Sequence, residues 1–401
     1  MSTLDYQREL GRKIAAERKR RGLSQPDLAK MVGRSVAWVS QVERGVRRID
    51  RMSVLETLAS ALDVPLAELA AEAPIVAAVA DESPVTRSLR MVLSGAYALR
   101  AMLNGHASAT LESLRERTGK AWELTHASRY TDLTDLLGAL FPDLEVAARA
   151  LPEHATSVLE LMAAAYQACS AALDKLGDPD AAWIAADRAM AAAERAGCPF
   201  LVAAGAFRLV FVFLSARYYD QAAETAQTAA DALWDLADNG TPEAMSLWGA
   251  LTLQRSIVAA RAGDATAAYG HLERARQMAA RLGAGRNDYN TEFGPANVEL
   301  FEIAAAVELG DAGRALRAAG AVDTTGLSAE RRSRMLLDVG RAHAQRRQVA
   351  EAVTALRQAE DVAPEMLRGH YLARQIVSDL LTMQDPPGEE LRVLSERLGV
   401  S

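Results

Sequence analysis

Residues 285–302, GRNDYNTEFGPANVELFE, gather chemistry that the surrounding text lacks. Arg286, Asn287, Asp288, Tyr289, Asn290, Glu292 and Asn297 bring guanidinium, amide, carboxylate and phenol groups together in an otherwise Ala- and Leu-rich stretch. Such groups suit non-covalent capture of a ligand. An asparagine such as Asn297 can donate and accept at once, which matches a peptide bond. The competing reading is a long loop followed by a helix with Pro295 in its first turn. Covalent chemistry has no residues to rest on. The six histidines (106, 126, 154, 271, 343 and 370) are scattered and none falls in an HExxH pattern. Neither a phosphate-cradling glycine loop nor a nucleophile elbow is present. Cys169 and Cys198, the only cysteines, stand outside any metal-ligand spacing. The sequence therefore predicts no enzyme, no metal and no cofactor.

A second constellation is basic. Arg44, Arg47, Arg48 and Arg51 follow the stretch 24–45, SQPDLAKMVGRSVAWVSQVERG, whose punctuation reads as a helix-turn-helix. Ser24 can cap a short helix, with Asp27 three residues on completing a capping box. Leu28, Ala29 and Val32 recur at helical spacing on its inner face. Gly33 breaks that helix and permits a tight turn. Ser35 caps a second helix with Val39 and Val42 inward, and Gly45 can take the left-handed conformation that ends it. A basic helix, Tyr6 to Arg21, precedes the pair. Another, starting Ser53-Val54-Leu55-Glu56, follows with Leu55, Leu58 and Leu62 on one face. The whole is a small all-helical DNA-reading head.

At these residues the chain resembles the Cro/cI-type (XRE) helix-turn-helix family. The likeness rests on Gly22-Leu23-Ser24-Gln25, on Asp27-Leu28-Ala29, and on Ser40-Gln41-Val42-Glu43-Arg44-Gly45 closing the second helix. It implies a homodimer on near-palindromic operator DNA, with helix 35–44 in the major groove. Gln25, Val36, Ala37 and Gln41 fall where the family meets base edges or groove walls; Ser35 is a further candidate DNA contact, and Trp38 either touches the DNA backbone or a base or packs on the first short helix. Arg44, Arg47, Arg48 and Arg51 fall where it meets phosphates. Val36 and Ala37 cannot hydrogen-bond, so a thymine methyl is their natural target, while Gln41 suits adenine. Direct readout by so few polar groups leaves a share of specificity to DNA shape. Arg18 and Glu43 stand where the family places a buried ion pair. Ile49 replaces the proline that many members carry after the basic turn.

Charge divides the 401 residues in the same place. Residues 1–51 hold 13 Lys and Arg against 6 Asp and Glu, whereas the remaining 350 hold 32 against 46. The head can neutralise phosphates and the body would be repelled by them. The body's acidic balance also favours a neutral or cationic effector over an anionic one. No apolar run is long enough to span a membrane, and the N-terminus lacks the pattern of a signal peptide, so the expected location is the cytoplasm, on the nucleoid when DNA is bound.

Beyond a linker with Pro74 and Pro84 (73–85), the text from 86 to 401 is Ala-rich, helical and repetitive. Leu336, Val339, Gly340, His343, Ala352, Leu356, Ala359 and Pro364 occupy in order the eight signature places of a tetratricopeptide (TPR) repeat. Gly340 and Ala352 would let two helices approach closely while Leu336, His343 and Leu356 fill the space between pairs. Looser copies pivot on Leu133, Ala182, Ala222, Ala268 and Ala315, each after a short polar turn. Stacked units would curl around a concave wall, on which residues 286–297 would lie. The expected fold is thus all-α: a five-helix Cro/cI-type head (1–72) and a TPR-like α-solenoid. This order resembles peptide-sensing quorum regulators and, more closely, XRE–TPR regulators of high-G+C bacteria.

The sequence accordingly predicts a DNA-binding transcription regulator whose body dimerises and senses an effector, a peptide or another small ligand. The alternative is a TPR adaptor that recruits a protein partner to DNA without a small-molecule effector.

Overall fold

A computed structural model of the chain describes residues 3–20, 23–47, 49, 52–62, 64, 69, 83–95, 109–384 and 386–400. Among these the chain forms twenty α-helices and no strand. It divides into two compact units, Met1–Glu82 and Ser83–Ser401. Of the expected linker, 73–82 lie outside the described residues, while Pro84 and Val85 open a helix of the second unit.

The head contains α1 (Thr3–Arg20), α2 (Gln25–Met31), α3 (Val36–Glu43) and α4 (Met52–Leu62). A fifth helix would fall mostly outside the described residues. Helix α4 begins one residue before the expected Ser53. Leu10 and Ile14 of α1, Leu28 and Ala29 of α2, Val39 and Val42 of α3, and Leu55, Leu58 and Leu62 of α4 form one buried cluster. Helices α1 and α3 cross at Gly11, where a Cβ would lie 2.5 Å from the Val42 carbonyl oxygen and 2.7 Å from that of Glu43. Only hydrogen fits there.

The body is built from antiparallel pairs: α6 (Leu111–His126) with α7 (Tyr130–Ala150), α8 (Ala155–Lys175) with α9 (Pro179–Ala196), α10 (Pro199–Ser215) with α11 (Tyr219–Asp238), α12 (Pro242–Ala262) with α13 (Ala265–Leu282), α14 (Pro295–Leu309) with α15 (Ala312–Ala319), and α16 (Ala329–Gln345) with α17 (Val349–Val362). Helix α5 (Pro84–Val92) precedes them; α18 (Pro364–Gly369), α19 (Tyr371–Met383) and α20 (Glu389–Leu398) follow.

One turn geometry joins the two helices of every pair. The residue five before each pivot has a positive φ: Ser128 (55°), Gly177 (79°), Arg217 (67°), Gly263 (82°), Gly310 (81°) and Arg347 (61°). Three of the six use glycine, for which this conformation is cheap. Those three are followed by Asp178, Asp264 and Asp311, each of which accepts a backbone N–H three residues on and so caps the next helix. The pivots themselves, Leu133, Ala182, Ala222, Ala268, Ala315 and Ala352, are fully buried. A small pivot lets the paired backbones approach and gain dispersion contacts that alanine's own area cannot supply. At Gly340 a Cβ would sit 3.3 Å from the Leu356 side chain, the close approach expected of that place. Two details differ. Leu337 rather than Leu336 is fully buried, and His343 is half-buried, its Nδ1 3.0 Å from Gln348 Oε1 across the turn.

The C-terminal elements of the body fold back on its first pair. Ala363 and Met366 join the buried cluster that contains Leu114 and Tyr130. The backbone N–H and hydroxyl of Thr131 donate to the Glu365 carboxylate at 2.9 and 3.1 Å. Gly369 lies so near Leu176 that a Cβ would stand 2.8 Å from its Cδ2. Helices α16 and α6 also touch. The first helices of the pairs thereby face a shared interior.

Candidate nucleic-acid interface and interior chamber

Capping sets the outline of the head's outer face. The Ser24 hydroxyl accepts from Asp27 N at 3.2 Å and the Asp27 carboxylate accepts from Ser24 N at 2.9 Å, a complete capping box for α2. The hydrogen bonds from Ser24 hold the Asp27 carboxyl below its ordinary pKa. Ser35 accepts from Trp38 N at 3.1 Å and starts α3. With Val39 and Val42 inward, α3 presents its other side: Ser35, Val36 and Ala37 are exposed and Gln41 is half-exposed. Arg44 and Arg47 are exposed just beyond the helix. Arg48 and Arg51 lie outside the described residues.

Trp38 packs its inner edge on the head's core, and the Arg34 guanidinium covers its ring at 5.7 Å. Gln25 is turned inward. Its amide nitrogen donates to Glu43 Oε2 at 2.8 Å, beside the Arg18 guanidinium, which donates to both Glu43 oxygens. Arg18 also donates to the Leu23 carbonyl at 2.6 Å. One buried carboxylate thus ties α1, α2 and α3 together and fixes how α3 is presented. Gln25 has a positioning part here that sequence reading did not assign, since nothing in the spacing says which way its amide turns.

The loop 283–294 is pinned from several sides. Phe293 is 2% exposed and fills the space left by Gly249 on α12, where a Cβ would lie 2.0 Å from its ring. Asp288 accepts from Ser246 and from Arg286, and Arg286 also reaches Glu243 at 3.1 Å. Asn287 accepts from Glu292 N. Tyr289, Asn290 and Glu292 have φ of 51°, 56° and 53°. Non-glycine residues in this region are strained, and such strain persists only where surrounding contacts over-determine the backbone. Tyr289 is half-buried, with its ring near Phe200. Asn297 is buried in the first turn of α14 with its Oδ1 unpartnered.

The loop delivers only part of itself to the interior. Asn290 and Glu292 border a cavity of about 30 Å³ with Trp122, His126, Lys175, Arg208, Glu330 and Arg331. A second cavity of about 80 Å³ shares Asp174, Lys175, Phe211 and Arg331 with the first and continues past Ile257, Phe301 and Glu308. Arg286, Asn287, Asp288, Tyr289 and Asn297 line neither cavity. Glu292 accepts from Arg331 at 2.9 Å, and Arg331 donates as well to the Thr291 carbonyl. Lys175 stands 3.3 Å from Glu330 and 3.9 Å from Asp174. Burial opposes ionisation of Glu330, yet the Lys175 and Arg331 charges hold its carboxyl far below the usual range. Glu308 behaves alike beside Arg341 and Arg261, held down to about 2 against its burial. Burial pulls Arg208 down to about 10, still charged at neutral pH, and lowers His126 below its ordinary value. Sequence reading missed this chamber, although α10 carries a signal: Arg208 is the sole charge in PFLVAAGAFRLVFVFLS.

Residues 9–71 match the model of a helix-turn-helix domain of the XRE-like type, a DNA-binding module. No curated protein and no solved structure matches the chain. Among the described residues no helix is long and apolar enough to cross a membrane.

Proposed function

We propose that the protein is a transcription regulator that reads operator DNA with α3 as a homodimer and senses an effector through its TPR-like body. The observation that carries the reading is the outward row Ser35, Val36, Ala37 and Gln41, with Arg44 and Arg47 beside it, on a helix held by Arg18, Gln25 and Glu43. A polar reader flanked by exposed guanidinium groups is what separates base reading from phosphate gripping. The pinned loop and the charged chamber support the sensing half of the reading. An effector changes operator binding only by its differential affinity for two body arrangements.

Selection from a pool of random duplexes tests it. The full chain is expected to enrich one motif with dyad symmetry, its half-sites about one helical turn (roughly 34 Å) or a whole multiple apart. Recovery of the unenriched pool would remove the regulator reading.

The adaptor reading is favoured by one feature, an open apolar groove of about 830 Å³ between α10 and α11 that is lined by Phe200, Val202, Leu233 and Leu236. An apolar groove between two helices can seat the apolar face of a partner's helix.

A further inference from the structure

Among the described residues Arg208 is the one cation of the chamber that makes no ion pair, although Asp174, Glu292 and Glu330 lie close enough to act on its charge. Arg208 is 7% exposed, and its Nη2 donates to the Asn290 carbonyl at 2.7 Å. Its Nε has no hydrogen-bond partner, and among the described residues no carboxylate comes within 4 Å of the guanidinium. Of the three carboxylates of the first cavity, Asp174 pairs with Ser215 and Lys175 and Glu292 with Arg331, while Glu330 lies beside Lys175 and Arg331 with its Oε1 free of any hydrogen bond. The Trp122 ring packs on the guanidinium at 4.8 Å, and its Nε1 is also buried and unpartnered. Guanidinium and indole N–H groups only donate, so an acceptor must satisfy both. Water can accept, but it does not pair a buried charge.

Resting on the sensing reading above, the geometry points to a small monocarboxylate as the effector class, its carboxylate accepting from Arg208 Nε and Trp122 Nε1. Lys175, Arg208 and Arg331 balance Asp174, Glu292 and Glu330 in the lining, so a ligand held by the unpartnered N–H groups can bring one negative charge at most, and a dianion would be repelled by the three carboxylates. Phe211 borders both cavities, and Ile257, Phe301 and Ala304 line the second, so a short apolar tail has a path away from the charge. The cavities of about 30 and 80 Å³ limit the ligand to a few heavy atoms in this arrangement of the body. The overall acidic balance argued for the opposite sign of effector. Net charge governs encounter at the surface, while the lining of an enclosed space governs what is held there.

The test uses the full chain with sodium propionate, against sodium chloride, inorganic phosphate and methylammonium at equal ionic strength. Calorimetric titration is expected to give propionate binding and none of the other three. Arg208→Met should weaken that binding by about tenfold or more, since a hydrogen bond to a charged group is lost. Without ligand it should melt within a few degrees of the parent, because removing an unpaired buried charge offsets the lost bond to the Asn290 carbonyl. Trp122→Phe keeps the ring over the guanidinium and deletes the N–H, and should weaken propionate binding on its own. Propionate bound equally by the parent and Arg208→Met, tighter binding of phosphate, or no carboxylate binding at all would each overturn the assignment. The random-duplex selection on the same preparations separates the two claims: DNA preference without carboxylate binding sinks only this inference, and the converse sinks only the regulator.

Discussion

Glu43→Ala is expected to destabilise the head by about 3–5 kcal/mol, the cost of leaving a buried charge without its partner. The Arg18 and Glu43 side chains are 9% and 6% exposed, and Glu43 also receives Gln25. Removing the carboxylate strands the Arg18 guanidinium and frees three helices from their shared tie. Such a loss is a large part of what a small domain holds in total. Amide hydrogen exchange in the full chain should report it as lost protection over α2 and α3, with the body's protection unchanged. A joint Arg18→Met, Glu43→Leu exchange should recover most of the loss, because an apolar pair of similar volume replaces a buried ion pair at little cost. The pH dependence has a definite sign. Burial works against ionisation of Glu43, but hydrogen bonds from Arg18 and Gln25 hold its carboxyl below the ordinary value. The folded head therefore binds that proton less readily than the unfolded chain. The contribution is complete above the ordinary glutamate pKa of about 4.3 and is lost as pH falls through the lower folded value. Unchanged exchange protection in Glu43→Ala would mean that the pair carries no stability.

Phe293→Ala should cost the body about 3–5 kcal/mol, as expected for emptying a fully buried aromatic site. Gly249→Ala should act on the same contact from the other side. Its Cβ would lie 2.0, 2.3 and 2.4 Å from three ring carbons, so the ring must leave its seat. Overpacking of that kind costs about 1–3 kcal/mol or more. The two changes are therefore not independent. Once Phe293 is alanine, the added methyl at 249 has room, and the double variant should be more stable than the sum of the single losses by about 0.5–3 kcal/mol. Urea denaturation followed through the body's transition provides the cycle. Strict additivity would show that Phe293 does not sit against Gly249. Release of Phe293 also loosens Asn290 and Glu292, which face Arg208 and Arg331, so chamber binding should weaken in the same variants.

Local signals were legible wherever one residue type answers one backbone need. Ser24 and Ser35 cap, Gly33 and Gly45 take φ of 62° and 67°, and the Gly-Asp turns at 177, 263 and 310 start second helices. The polar turns at Ser128 and Arg217 were legible as turns, but their left-handed residue, like Arg347, was not, because no glycine marks it. What the sequence could not disclose depends on residues far apart in the chain. Gly11 looks like a helix-weakening residue until α3 is placed against it. Phe293 reads as one aromatic in a polar loop until Gly249 is found beneath it. The chamber assembles Trp122, Lys175, Arg208 and Arg331 across two hundred residues, and no local period relates them. Within 286–297, chemical richness was visible, but direction was not: Asn290 and Glu292 border the interior, while the hydrogen bonds of Arg286 and Asp288 pin the loop.

The central claim is that α3 reads sequence while the arginines beside it grip the backbone. The most direct measurement compares Gln41→Ala and Arg47→Ala with the parent, each on the selected duplex and on a scrambled duplex, across a range of salt. Gln41→Ala should lose about 1–3 kcal/mol on the selected duplex and little on the scrambled one. Arg47→Ala should weaken both and reduce the salt slope by about 1. If Gln41→Ala loses equally on the two duplexes, the outward face of α3 does not read bases and the account is wrong.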